Sequence, residues 1–264
     1  PEVDSQYAGA GIYANTDGFL IGDQATGNGG YIDINTDVLK ITDRGQISGT
    51  SSTPGQGGSL QVAARNIELN NNALISLASF NEGDAGDIYL GASDNFLMRD
   101  SAVSTESVMA DGGNIKVDSQ YMVHLVNSEI TASVGGGEET IGGNISIDPE
   151  YVILKDSRII ANAYEGIGGN IDIIANVYLT DPNSLVDASS ALGIDGDVDI
   201  QAPTTVISES IAPLTEEFSS VVSLLREPCI ARLKGGEYSS FVIDGRDGLP
   251  RQPGSVLPSP MLFD

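Results

Sequence analysis

Apolar residues along this chain come in short alternating pairs, not in helical stripes. Ile145-Ser146-Ile147 and Ile171-Asp172-Ile173 show the period of two expected of a strand with one buried face. About six residues further on a second set of pairs follows, read as Ile67 and Leu69, Phe96 and Met98, Val123 and Leu125, Val152 and Leu154, and Val177 and Leu179. Each is succeeded by a polar corner: Asn71-Asn72, Asp100-Ser101, Asn127-Ser128, Asp156-Ser157 or Asn183-Ser184. Asx and Ser suit a tight bend because they tolerate left-handed backbone and bond their own main chain. A third alternating piece closes the unit, as in Leu74-Ile75-Ser76, Val103-Ser104-Thr105, Ile130-Thr131-Ala132 and Ile159-Ile160-Ala161.

Glycine sets the period. Gly-Gly-Asn-Ile occurs at 112–115, 142–145 and 168–171, with looser copies at 29–32, 57–60, 85–88 and 195–198. The second glycines are spaced by 28, 28, 27, 30, 26 and 27 residues. A period this short is below domain size and marks a stacked repeat architecture, in which a unit that cannot bury its inward side chains alone buries them against its neighbours. The expected fold is an all-β, right-handed parallel β-helix with three strands and about 27 residues per coil. A barrel or sandwich would also show many short strands, but gives no reason for the same residues to return at the same corner.

The coils are expected over residues 1–202. From about Ala202 the glycine period stops. Leu214, Phe218, Val221, Val222 and Leu225 recur at helical spacing between start signals at Pro213 and Thr215 and a stop at Pro228, and 239–244 reads as a strand. Residues 203–244 are therefore expected to form a small helix-and-strand cap, followed by a Pro-rich extended tail over 245–264.

Charge narrows the partners. With 37 acidic against 12 basic residues the formal net charge is −25, which opposes nucleic acid, whose binding requires cations on phosphate, and anionic membrane alike. No stretch of eighteen apolar residues occurs and no basic region followed by an apolar one opens the sequence, so membrane insertion is not expected. Because the chain starts at Pro1, it is expected to be the mature or excised C-terminal portion of something longer. The lone Cys229 excludes an internal disulfide framework; an anchoring or crosslinking role stands against a buried thiol.

Candidate chemistry is sparse. Asp118 and Asp148, both five residues past the second glycine, could lie one coil apart and share Ca2+, although the acidic columns are discontinuous and the nonapeptide of calcium-binding rolls is missing. Asn114, Asn144 and Asn170 read as a structural amide ladder. His124, between the inward Val123 and Leu125, is expected to face outward. Asp172 and Asp199 would serve a polysaccharide lyase or hydrolase as acid and base, the alternative to a non-catalytic role. Against it stands the scarcity of Arg and Lys to hold a uronate in the coils. No catalytic residue, metal or other cofactor is assigned.

The Gly-Gly-Asn-Ile coils, the Asp-Ser or Asn-Ser corners before an Ile-x-Ala strand, and the ending Ser239-Ser240-Phe241-Val242 through Gly245-Arg246-Asp247-Gly248-Leu249-Pro250 resemble the filamentous-haemagglutinin-like surface proteins exported by two-partner secretion. The resemblance spans nearly the whole chain. Members commonly end on Gly-Arg-Gly-Gly-Leu-Pro, where this chain has Asp247, and many carry a lone Cys matching Cys229. It implies a rigid stalk, adhesin or matrix element on the surface of a Gram-negative bacterium or cyanobacterium. Its partners would be an outer-membrane transporter during export, then other copies or a cell-surface glycan.

Overall fold

The computed structural model describes residues 10–16 and 27–207. Among them all regular structure is β-strand, stacked in parallel as a solenoid of about 6 turns with roughly 28 residues per turn. Each turn carries three strands. The first face is built from Tyr31–Asn35, Ile115–Ser119, Ile145–Asp148, Ile171–Ile174 and Val198–Gln201, the second from Val38–Thr42, Met122–Val126, Tyr151–Lys155, Val177–Thr180 and Thr204–Ile207. In two turns these faces are joined by single long strands, Ser59–Asn70 and Ile88–Arg99, whose mutual register shifts between Ala64 and Asn66 as they round the corner. Gly11–Tyr13, Gln46–Ser48, Leu74–Ser79, Ala102–Ser107, Glu129–Thr131, Arg158–Ile160 and Leu185–Asp187 make the third face.

Register follows the glycines. On the first face Ile32 pairs with Leu60, then in succession come Ile88, Ile115, Ile145, Ile171 and Val198. Those steps are the spacings of the second glycines, so the phrase marks one fixed point on every turn. Pairing continues on the second face through Thr204–Ile207, beyond the 202 boundary expected from the glycine period. The proposed cap helix, the 239–244 strand, the Pro-rich tail and Cys229 lie outside the described residues.

At the second glycine a side chain has no room. A Cβ on Gly58 would lie 2.6 Å from the carbonyl oxygen of Gly30, and on Gly86, Gly113, Gly143, Gly169 and Gly196 it would overlap the carbonyl oxygen of the glycine one turn earlier. Close approach of successive turns, not a positive φ, demands glycine there. The first position carries a side chain in two turns, as Ala85 and Asp195. Where it is glycine the fit is also tight: a Cβ on Gly112 or Gly142 would overlap the glycine nitrogen of the next turn.

Inside, stacked columns of apolar side chains, aliphatic except for Phe96, fill the section: Ile32 to Ile171 on the first face, Ile67, Phe96, Val123 and Val152 on the second, and Ile47, Ile75, Val103, Ile130 and Ile159 on the third. Fully burying such a side chain contributes about 1.5–3 kcal/mol. One inward pair differs from expectation. Tyr178 pairs with Val152 and is buried, whereas Val177 and Leu179 face outward and are only half-buried. Tyr178 lies nine residues past its second glycine, as Ile67 and Val152 do. Asn176 and Val177 share the Glu150 carbonyl as Arg65 and Asn66 share that of Asp37, so the register is the ordinary one. The pair Val177 and Leu179 starts one residue too early, and a one-residue slip exchanges the faces of every side chain. Burial pushes the Tyr178 phenol up from its ordinary value, with the bond to Thr180 opposing it.

Candidate functional site

The corners are where the polar sequence is spent. Between the second and third faces Asp43, Asn71, Asp100, Asn127 and Asp156 adopt positive φ between 46° and 56°, the left-handed conformation expected of Asx. Charged and neutral members alternate along this column. Asn71 donates to Asp43 at 3.0 Å, Asn127 to Asp100 at 2.7 Å and Asn183 to Asp156 at 2.8 Å, so no two carboxylates stack on adjacent turns. Asn183 reaches this column from a corner one residue longer, and Asp181 beside it accepts from the amides of Asp156 and Ser184. Burial raises the Asp181 carboxyl, but the Ser184 hydroxyl and these amides outweigh it and hold the group below its usual range.

Beside that column runs a buried serine ladder. The Ser101, Ser128 and Ser157 hydroxyls each donate to the carbonyl two residues back, at 2.8, 2.8 and 2.7 Å. Ser128, Ser157 and Ser184 hydroxyls each accept the amide of the serine one turn earlier, at 3.3, 3.2 and 3.0 Å.

At the glycine corner the amide ladder is built as the residues suggest. Asn114 donates to Asp87 Oδ1 at 2.9 Å and Asn144 to Asn114 Oδ1 at 3.0 Å. The backbone amides of Asn144, Asn170 and Asp197 donate to the side-chain oxygen one turn earlier. Donation runs in one direction, so the ladder starts on an acceptor, Asp87, and needs no donor at Asp197. A parallel column uses Asp84 and Asp111 as acceptors for the amides of Asp111 and Ile141. These carboxylates and amides hold successive turns together.

A different environment lies between the first and second faces. The column five residues past the second glycine holds Ala63, Gly91, Asp118, Asp148, Ile174 and Gln201. It borders an open furrow of about 850 Å³ lined by Asp118, Gln120, Asp148, Glu150, Asn176 and Gln201, among others. A second hollow of about 240 Å³ over Ala63, Gly91 and Ala92 shares Asp118 and Gln120 with it. Tyr121 and Tyr151, which flank it in sequence beside Gln120 and Glu150, meet edge to face at 5.3 Å.

The structure brings Asp118 and Asp148 together as register partners on adjacent turns. Asp118 also accepts the Tyr89 hydroxyl at 3.4 Å and lies 4.0 Å from Lys116. Burial, then Asp118, raises the Tyr89 phenol above its ordinary value. Among the described residues no group of three or more His, Cys, Asp and Glu is arranged to hold a metal ion. Asp172 and Asp199 are likewise register partners, on the outer side of the first face, and Gln201 Nε2 donates to Asp199 at 2.7 Å. His124 faces outward between Leu97 and Ile153; burial, then Arg99 and Lys155, lowers its pKa.

No family model, no curated protein and no solved structure matches this chain. What the surface can do chemically follows from its columns and its furrow. Of the furrow residues, Gln120, Glu150 and Asn176 share the seventh position past the second glycine and Gln201 stands at the fifth, so the repeat itself brings them to one side, although their residue types do not recur. Among the described residues no helix is long and apolar enough to cross a membrane.

Proposed function

We propose that this chain is the C-terminal, non-catalytic portion of an exported surface protein of the filamentous-haemagglutinin-like kind, acting as a rigid stalk, adhesin or matrix element. The observation that supports it most is the unbroken bonding between turns: three strand ladders, with the Asx, serine and amide columns at the corners, join turn to turn. Such a stack has no hinge built into it, and nearest-neighbour coupling makes each turn hold the next. A net charge of −25 keeps the surface soluble and self-repelling. Export would use an outer-membrane two-partner transporter, leaving the protein on the surface of a Gram-negative bacterium or cyanobacterium.

An antibody against the solenoid should stain intact, unpermeabilised cells of the source organism, and staining should vanish when the transporter gene is deleted. Retention of the protein inside the cell would overturn this reading. The competing one, a polysaccharide lyase or hydrolase, draws on the adjacent Asp172 and Asp199. Turnover of a polysaccharide that is abolished by Asp172→Asn or Asp199→Asn would establish it in place of the stalk.

A further inference from the structure

The two hollows that meet at Asp118 and Gln120 form one furrow along the stacking direction, from Ala63 to Gln201. Five inter-turn steps of about 4.8 Å give it a length of roughly 24 Å. A space of those proportions fits a linear polymer, not a single ion. Its floor is made of small groups, Ala63, Gly91 and Ala92 at one end and Ala175 and Ala202 at the other, so a chain could lie close to the backbone.

Its walls decide the class of polymer. The amides of Gln120, Tyr121, Ala175 and Asn176 are already donated to carbonyls on neighbouring turns. A peptide therefore finds no free strand edge to pair with, and the mode of recognition that extended peptides use is closed. What the walls do offer is side-chain hydrogen bonding: the carboxamides of Gln120 and Asn176 are exposed and make no hydrogen bond among the described residues. Carboxamides, which both donate and accept, together with carboxylates, which accept, on the four turns from Asp118 to Gln201 match the hydroxyls of a sugar chain. Asp118, Asp148 and Glu150 set the sign, because like charges across an interface are strongly unfavourable and, among the described residues, Lys116 is the one cation paired with them. Such walls disfavour uronates, sulfated sugars and nucleic acids.

We propose that this furrow is a binding site for a linear glycan that is neutral or carries amino groups. The site stands apart from the stalk reading: a stalk needs no furrow, and a furrow of this kind could serve a protein in any location. The carboxylates give an amino-bearing glycan an added attraction that salt weakens, while hydrogen bonding to Gln120 and Asn176 serves both kinds.

The test is isothermal titration of the full chain with three hexasaccharides: N-acetylglucosamine hexamer, its deacetylated glucosamine counterpart and oligogalacturonate. Binding of one or both of the first two, weakened tenfold or more in the Gln120→Ala/Asn176→Ala double variant at unchanged melting temperature, is the expected result. A preference for the deacetylated hexamer that disappears in Asp148→Asn would identify the amino-bearing source; equal binding of the two would identify the neutral one. No binding of either at millimolar concentration, binding that the double variant leaves intact, or tightest binding of oligogalacturonate would each overturn the proposal. None of these outcomes depends on where the protein resides, so surface labelling and glycan binding can fail separately.

Discussion

Gly143→Ala offers the most direct test of what holds the turns at their spacing. The added Cβ would overlap the Gly113 carbonyl oxygen and lie 3.0 Å from Ala132 Cβ, so the two turns must part locally. The bonds at stake there are Gly143 N to Ala132 O at 3.1 Å, Ile115 N to Asn144 O at 2.8 Å, and the Asn144 amide to Asn114 Oδ1 at 3.0 Å. Losing two or three of them costs about 2–3 kcal/mol at roughly 1 kcal/mol each. Gly137→Ala is the control. Its Cβ would meet only Glu165 Oε2 at 3.9 Å, and both substitutions stiffen the unfolded chain equally. The difference between the variants then isolates the steric effect, and for a unit of this size 2–3 kcal/mol corresponds to about 4–12 °C in melting temperature. Far-UV circular dichroism with heating measures both. Because coupling runs between nearest neighbours, the Gly143→Ala melt is also expected to broaden or split. If the two variants melt within about 2 °C of each other, close approach is not what demands glycine.

Asn127→Asp would set three carboxylates in a row with Asp100 and Asp156, and should destabilise the solenoid by about 1–2 kcal/mol at low salt, less at high salt, read by denaturant titration in two buffers. Ser157→Ala removes a buried donor to Lys155 O and the acceptor for Ser128 N, and a loss of about 1–3 kcal/mol is expected; an unchanged denaturation midpoint would show the serine ladder to be passive. The pKa of His124 is lowered on folding, so its contribution is fully present above its unfolded value of about 6.5 and is lost as pH falls through the folded value; His124→Gln should flatten the melting profile in that window. Asp187, lowered chiefly by the Asn162 amide with burial opposing and the Ser189 hydroxyl assisting, acts in the same direction at lower pH, with stability lost as pH falls from about 3.9 through its folded value. EDTA is expected to leave the melting temperature in place; a fall of more than about 10 °C would reveal a structural metal.

The sequence by itself determined the repeat, the three strands per turn and the register, because a stacked fold copies its spacing directly into the chain. Each second glycine is excluded from having a side chain by the turn before it, so the same letter must return at the same height. The Asx corners and the amide ladder were legible for the same reason: their partners sit one period away. Tertiary structure decided what depends on corner geometry. That Tyr178 and not Val177 turns inward follows from its pairing with the buried Val152, a choice that period-two alternation alone leaves open in a strand with apolar residues on both faces. The strict Asp/Asn alternation along the corner became meaningful only when stacking placed Asn127 against Asp100 and Asn183 against Asp156. The furrow was legible only in part. Gln120, Glu150 and Asn176 share the seventh position past the second glycine, so the repeat aligns them. That they border an open groove together with Asp118, Asp148 and Gln201 is decided by the shape of the corner in the folded stack.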